Sequence, residues 1–78
     1  MGWTKSELTA FLDRKSIPRS TYSLDGDRDD AICLAQEGNE WLVYYSERGT
    51  RNQLGWGKTE AQALDILKLF ALETHSKL

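Results

Sequence analysis

One cysteine, one proline and one histidine occur in 78 residues, and each scarcity removes a class of function. With Cys33 alone, no disulfide can close within the chain and no all-cysteine zinc site can be built. Zinc needs several His or Cys ligands, and Cys33 and His75 supply one of each. A nucleophile needs a base within hydrogen-bond reach, and nothing in the sequence places His75, close to the C-terminus, beside Cys33 or Ser46. Glu40 and Glu47 stand at opposite ends of one expected strand, too far apart for paired-carboxylate work. Gly55-Trp56-Gly57-Lys58-Thr59 lacks the spacing of a phosphate-cradling loop. The expectation is a protein with no catalytic residues, no metal site and no cofactor, hence not an enzyme.

Long hydrophobic runs and a basic excess are also missing. The opening MGWTKSELTAFLDRK has no apolar segment long enough for a signal peptide or a membrane span, so the expected compartment is the cytoplasm, without a membrane partner. Gly2 fits the N-myristoylation pattern loosely, with Ser6 at the hydroxyl position; Trp3 and a helix cap at Thr4 favour a structural role for this stretch. Twelve acidic residues against ten basic ones give a net charge of −2, which argues against a nucleic-acid binder.

What is present suits one small domain over residues 1–78. A chain this short buries about 60% of the surface its unfolded form exposes, near the lower limit for folding unaided. Hydrophobic residues at 40% and charged residues at 28% describe an ordinary globular composition. Thr4-Lys5-Ser6-Glu7 is a capping box, with Trp3 and Leu8 placed as a hydrophobic staple. Leu8, Phe11 and Leu12 form an apolar stripe, and Pro18 disfavours helix at Ile17, ending the element near Lys15 or Ser16. Residues 19–30 read as a connector, with a possible short extended piece at Thr21 to Leu24 and a turn at Asp25-Gly26.

The strongest local signal is EGNEWLVYYSERG, residues 37–49. Gly38-Asn39 between two β-forming runs marks a two-residue hairpin turn. Such a turn fixes the register: Leu34 opposes Val43, Ile32 opposes Tyr45 and Gln36 opposes Trp41 on one face; Ala35 opposes Leu42 and Cys33 opposes Tyr44 on the other. Both faces are fairly apolar, so helices or a partner should cover part of each. Cys33 is expected as a small buried thiol. Residues 48–51 read as a loop and 52–57 as a third strand, in which Gly55 and Gly57 signal a bulge or a close backbone approach. Thr59-Glu60-Ala61-Gln62 is a second capping box, opening a helix to about Thr74 whose apolar surface is wide enough to lie across a small sheet. The expected fold is α+β, a single small α-β-β-β-α domain: a three-stranded antiparallel meander with helices packed on the sheet.

The acidic run Asp25-Gly26-Asp27-Arg28-Asp29-Asp30 matches the first three ligand positions of a calcium loop. It has Asp30 where that loop needs Gly and Gln36 where it needs Glu, and a strand follows instead of a helix. A solvated turn, or an acidic patch meeting a basic partner, is the better reading. Tyr44 and Tyr45 must point to opposite faces, one into the core and the other exposed beside Glu47 and Arg48 or covering the sheet under a helix. An exposed Tyr there has the chemistry of an interface anchor. Arg48, Arg51 and Lys58 with Trp56 suggest an alternative: a small nucleic-acid-binding or regulatory module in which aromatics stack bases.

Taken together, the opening helix, Ile17-Pro18, Tyr22-Ser23-Leu24-Asp25-Gly26, the strand at Ala31 to Leu34 and WLVYYSERG resemble small bacterial immunity proteins of polymorphic or contact-dependent toxin systems, including Rhs-type systems. In similar proteins the Tyr-Ser-Glu-Arg-Gly element precedes a third strand and a capped final helix, here 52–57 and Thr59 onwards. The third strand there carries an aromatic just before the helix, whereas here Gly57-Lys58 follows Trp56. The resemblance implies a non-catalytic cytoplasmic protein that binds and neutralises one cognate toxin C-terminal domain. The expected partner-binding residues are Asp25, Asp27, Asp29, Asp30, Tyr45, Glu47 and Arg48. The resemblance implies neither the toxin's chemistry nor the oligomeric state.

Overall fold

The computed structural model describes residues 3–76, with side chains to residue 74; Gly2 and the His75 side chain lie outside the described residues. The element order is α1 (Lys5–Arg14), a 3-10 turn (Arg19–Thr21), β1 (Tyr22–Ser23), β2 (Ala31–Glu37), β3 (Glu40–Glu47), β4 (Thr50–Gly57) and α2 (Glu60–Ser76). No helix among the described residues is long and apolar enough to cross a membrane.

Helix α1 begins where its capping box requires. The Thr4 hydroxyl accepts from the Glu7 amide at 3.2 Å, and the Thr4 amide donates to Glu7 Oε1 at 3.0 Å. Its end is a Schellman motif built on a serine. Ser16 takes φ +61°, its amide reaches the Asp13 carbonyl, and the Ile17 amide reaches the Leu12 carbonyl. Leu12 and Ile17 are both buried in the same core, supplying the hydrophobic contact that accompanies this cap.

The sheet is α+β in the expected order but has four strands, β1-β2-β3-β4, rather than three. The added strand is the two-residue β1, parallel to β2 with Tyr22 beside Ile32 and Ser23 beside Cys33. It lies within the short extended piece expected at Thr21 to Leu24, but two residues carry no alternation from which periodicity could read the pairing, which buries Tyr22 in the main core. The β2–β3 register is the one the turn dictates, with Leu34 opposite Val43, Ile32 opposite Tyr45 and Cys33 opposite Tyr44. Gly38 holds φ +62°, the first-position geometry of a glycine-led hairpin turn. The next hairpin is tighter than the expected 48–51 loop: Glu47 pairs with Thr50, and only Arg48 (φ +49°) and Gly49 (φ +81°) turn the chain. Two consecutive positive φ angles match the twist of the flanking strands, so β4 starts at Thr50.

Both glycine readings of β4 hold. Val43 faces Gly55 while Tyr44 faces Gln53, leaving Leu54 as the extra residue of a bulge. A Cβ on Gly55 would lie 3.0 Å from Ile66 Cγ2, and one on Gly57 would lie 2.8 Å from Gln62 Cβ and 3.0 Å from the Ala63 amide nitrogen. Helix α2 therefore starts hard against the end of β4. Its cap is half the expected box: Thr59 Oγ1 accepts from the Gln62 amide, but the Gln62 side chain returns to the Lys58 amide instead of Thr59.

Both helices occupy one side of the sheet. Leu8 and Leu12 of α1 and Ala63, Leu64, Leu67 and Ala71 of α2 enclose Ile32, Leu34 and Val43 in the main core. Trp3 meets Phe11 at 5.5 Å between ring centroids, and Lys68 lies over both rings, joining the helices. The α2 surface is narrower than its composition suggests, since Leu69 stays 57% exposed. The other side of the sheet carries only a small cluster, Ala31, Cys33 and Tyr44 with Ala35 and Leu42 beside it.

The two glycines differ in what they press against. Gly57→Ala sets a methyl against helix backbone and should cost about 1–3 kcal/mol by overpacking, whereas Gly55→Ala meets only side-chain carbons of Ile66, the nearest being Cγ2 at 3.0 Å, a contact that a small shift of that side chain relieves. Urea denaturation of both variants checks the order: Gly57→Ala should lose more stability.

Candidate functional site

The connector between β1 and β2 decides what surface the open side presents. Residues 24–30 leave β1 on the helix side, where Asp25 pairs with Lys5 of α1 at 3.3 Å. At Gly26, φ is +116°, a conformation that a side chain would strain, and the Ser23 hydroxyl donates to the Gly26 carbonyl. Beyond it the chain crosses to the open side and lies over Cys33 and Tyr44. The Cys33 thiol donates to the Arg28 carbonyl at 3.4 Å. Asp30 closes the crossing at φ +58°, its amide bonded to the Ser46 carbonyl at 2.7 Å. Parallel strands normally need a crossover of a dozen or more residues. Here the pair is only two residues long, and a loop occupies the place a crossover helix would take.

A polar clamp fixes that loop. The Tyr44 hydroxyl donates to Asp27 Oδ1. Arg51 of β4 donates to Asp27 Oδ2 at 3.0 Å and to Glu37 Oε1 at 2.9 Å, and its guanidinium lies 4.6 Å from the Tyr44 ring centroid. The hydrogen bonds from Tyr44 and then Arg51 hold the Asp27 carboxyl below its usual range. Burial first, and then Asp27, push the Tyr44 phenol far up, so it stays protonated and able to donate. Burial likewise raises the Cys33 thiol, as its largest influence, which leaves it a poor nucleophile.

The structure divides the seven residues expected to contact a partner. Asp25 is on the helix side with Lys5. Asp27 is committed to the clamp. Asp29, Asp30, Glu47 and Arg48 are exposed and meet at one end of the sheet, where Ala31 pairs with Ser46 and Glu47 with Thr50. A notch of about 170 Å³ there is lined by Asp27, Arg28, Asp29, Ser46, Gly49 and Arg51. Tyr45 packs half-buried on the helix-side core, its phenol raised by burial and then by the charges of Asp30 and Glu47. Tyr44 is the fully buried tyrosine of the pair.

The Arg48, Arg51, Lys58 and Trp56 group is spread over the length of β4: Arg51 opposes Ser46 at one end, while Trp56 opposes Leu42 near the other. Arg51 is held by two carboxylates. Among the described residues, no group of three or more His, Cys, Asp and Glu side chains converges as a metal cage would. The calcium-like spacing of the acidic run is broken up accordingly, with Asp25 and Asp27 on opposite sides of the sheet edge.

Sequence reasoning missed the roles of Tyr44 and Arg51. Their partner Asp27 lies 17 and 24 positions away, beyond any local spacing rule. Comparison with known proteins finds no matching family model, curated protein or solved structure.

The clamp has a pH signature. Asp27 is depressed in the folded state, so its contribution is present above the unfolded carboxylate pKa of about 3.9 and is lost as pH falls through the folded value. Tyr44→Phe should therefore lower the thermal midpoint at pH 7 and lose most of that penalty under acid conditions. Melting both proteins between pH 7 and pH 2 checks this, and a penalty independent of pH would contradict the clamp.

Proposed function

We propose that this chain is a non-catalytic cytoplasmic immunity protein that binds and neutralises a cognate bacterial toxin domain. The observation that carries the reading is the acidic loop 27–30, fastened to the sheet by Tyr44, Arg51 and Ser46. Fastening leaves Asp29, Asp30 and Glu47 outward at one end. Carboxylates held in place before encounter suit a basic protein surface, because the ordering cost is already met and complementary charge speeds association. The resemblance of the opening helix and residues 17–18, 22–26, 31–34 and 41–49 to immunity proteins supplies the biological setting, as an analogy of pattern. Basic nuclease surfaces are the chemistry such a rim would cover best.

Affinity capture from the native cell, paired with growth rescue using the adjacent upstream reading frame, tests the proposal. The expected result is a one-to-one complex with a C-terminal toxin fragment, together with rescue. Nucleic acid in the eluate with no protein partner would replace this reading by the nucleic-acid one. Asp29→Lys with Glu47→Lys, two exposed changes outside the clamp, should slow association about tenfold at low salt and leave the melting temperature nearly unchanged. An on-rate equal to wild type, measured by stopped flow, would remove these residues from the contact.

A further inference from the structure

The clamped loop covers only half of the open side. Ala35, Leu42 and Trp56 stand directly opposite one another across β2, β3 and β4. They form a lateral apolar row on the face opposite the main core, next to the Ala31, Cys33 and Tyr44 cluster. Ala35 and Leu42 are half-buried and Trp56 is 48% exposed. The next row toward the hairpin turn is Glu37 opposite Glu40. Like charges facing each other across a strand pair are destabilising. Glu37 shares Arg51 with Asp27, and Glu40 has no ion-pair partner among the described residues. This side therefore offers an apolar strip bordered by carboxylates in excess of cations.

We propose that this strip is a docking surface for an extended segment of a protein partner, one that presents an apolar side chain and a Lys or Arg on the same face. Neighbouring rows of a sheet lie two residues apart, about 7 Å. Alternate side chains of an extended segment have that same spacing, so an apolar residue seated on Leu42 and Trp56 places a following cation beside Glu40, the carboxylate of that row that Arg51 leaves unpaired. The exposed Trp56 supplies the anchoring area. A second copy of the chain fits poorly, because two such faces together would double the excess of carboxylates over arginine. The inference rests on the protein-binding reading above and places its contact on the open side of the sheet, beyond the acidic end.

The test uses the intact protein and two probe peptides. One repeats Thr-Leu-Thr-Lys twice; the other replaces each Lys by Glu. Nitrogen–proton correlation spectra should show the Lys probe shifting the Trp56 indole and the amides of Ala35 and Leu42, with the Glu probe at least tenfold weaker. Glu40→Lys should reverse that preference, and Trp56→Ser should abolish binding; both sites are exposed, so an unchanged melting curve certifies the fold. Equal response to both probes, no response, or shifts confined to residues 28–30 and 47–49 would overturn this surface. Those outcomes leave the immunity reading to its own capture and rescue test. Sedimentation showing a dimer that Trp56→Ser disperses would also overturn it, in favour of self-association.

Discussion

Two helices cannot cover two sides of a four-stranded sheet when both pack on the same one. That constraint shapes everything else in the molecule. The helix side gains a main core of Leu, Ile, Val and Ala side chains. The open side must satisfy a fully buried tyrosine with a loop, an arginine and two carboxylates. Leaving the Tyr44 hydroxyl unpaired would cost about 1–3 kcal/mol, and Asp27 removes that cost by accepting from it. Arg51 then stacks on the ring and binds the same carboxylate. A cation on an aromatic face, a charge-assisted hydrogen bond and a buried thiol beneath them form one connected unit.

The fold therefore divides the acidic run into two parts. Asp25 ties the connector to α1, and Asp27 ties it to the sheet. Asp29 and Asp30 are left facing water next to Glu47. A run of like charges in a flexible turn would present a diffuse field. Here its direction is set by the fold, and this links the packing of Tyr44 to the proposed capture of a basic partner.

Local chemistry was legible in the sequence wherever a rule spans only a few residues. The Thr4 capping box, the Gly38-Asn39 turn and the whole β2–β3 register follow from spacing, and so does the close backbone approach at the glycine that ends β4. The pairing of β1 does not, because two residues leave no alternation to read. Alternation also separated Tyr44 from Tyr45 without saying which face the helices take; α2 takes the face of Val43 and Tyr45, and that leaves Tyr44 to the loop. The clamp was invisible for a different reason. Asp27, Glu37, Tyr44 and Arg51 meet only after the hairpins and the crossing at Gly26 are in place. The expected contact residues were accordingly drawn from one acidic run that the fold divides between two sides of the sheet.

Amide hydrogen exchange at Asp30 tests most directly whether Tyr44 and Arg51 hold the acidic loop in place. Its amide donates to Ser46 across the loop closure, so it should exchange slowly, close to the strand amides of β2. In the double variant Tyr44→Phe with Arg51→Ala, Asp30 should lose its protection while the central amides of β3 keep theirs. Fast exchange of Asp30 in the wild-type protein, or unchanged protection in the double variant, would contradict the account.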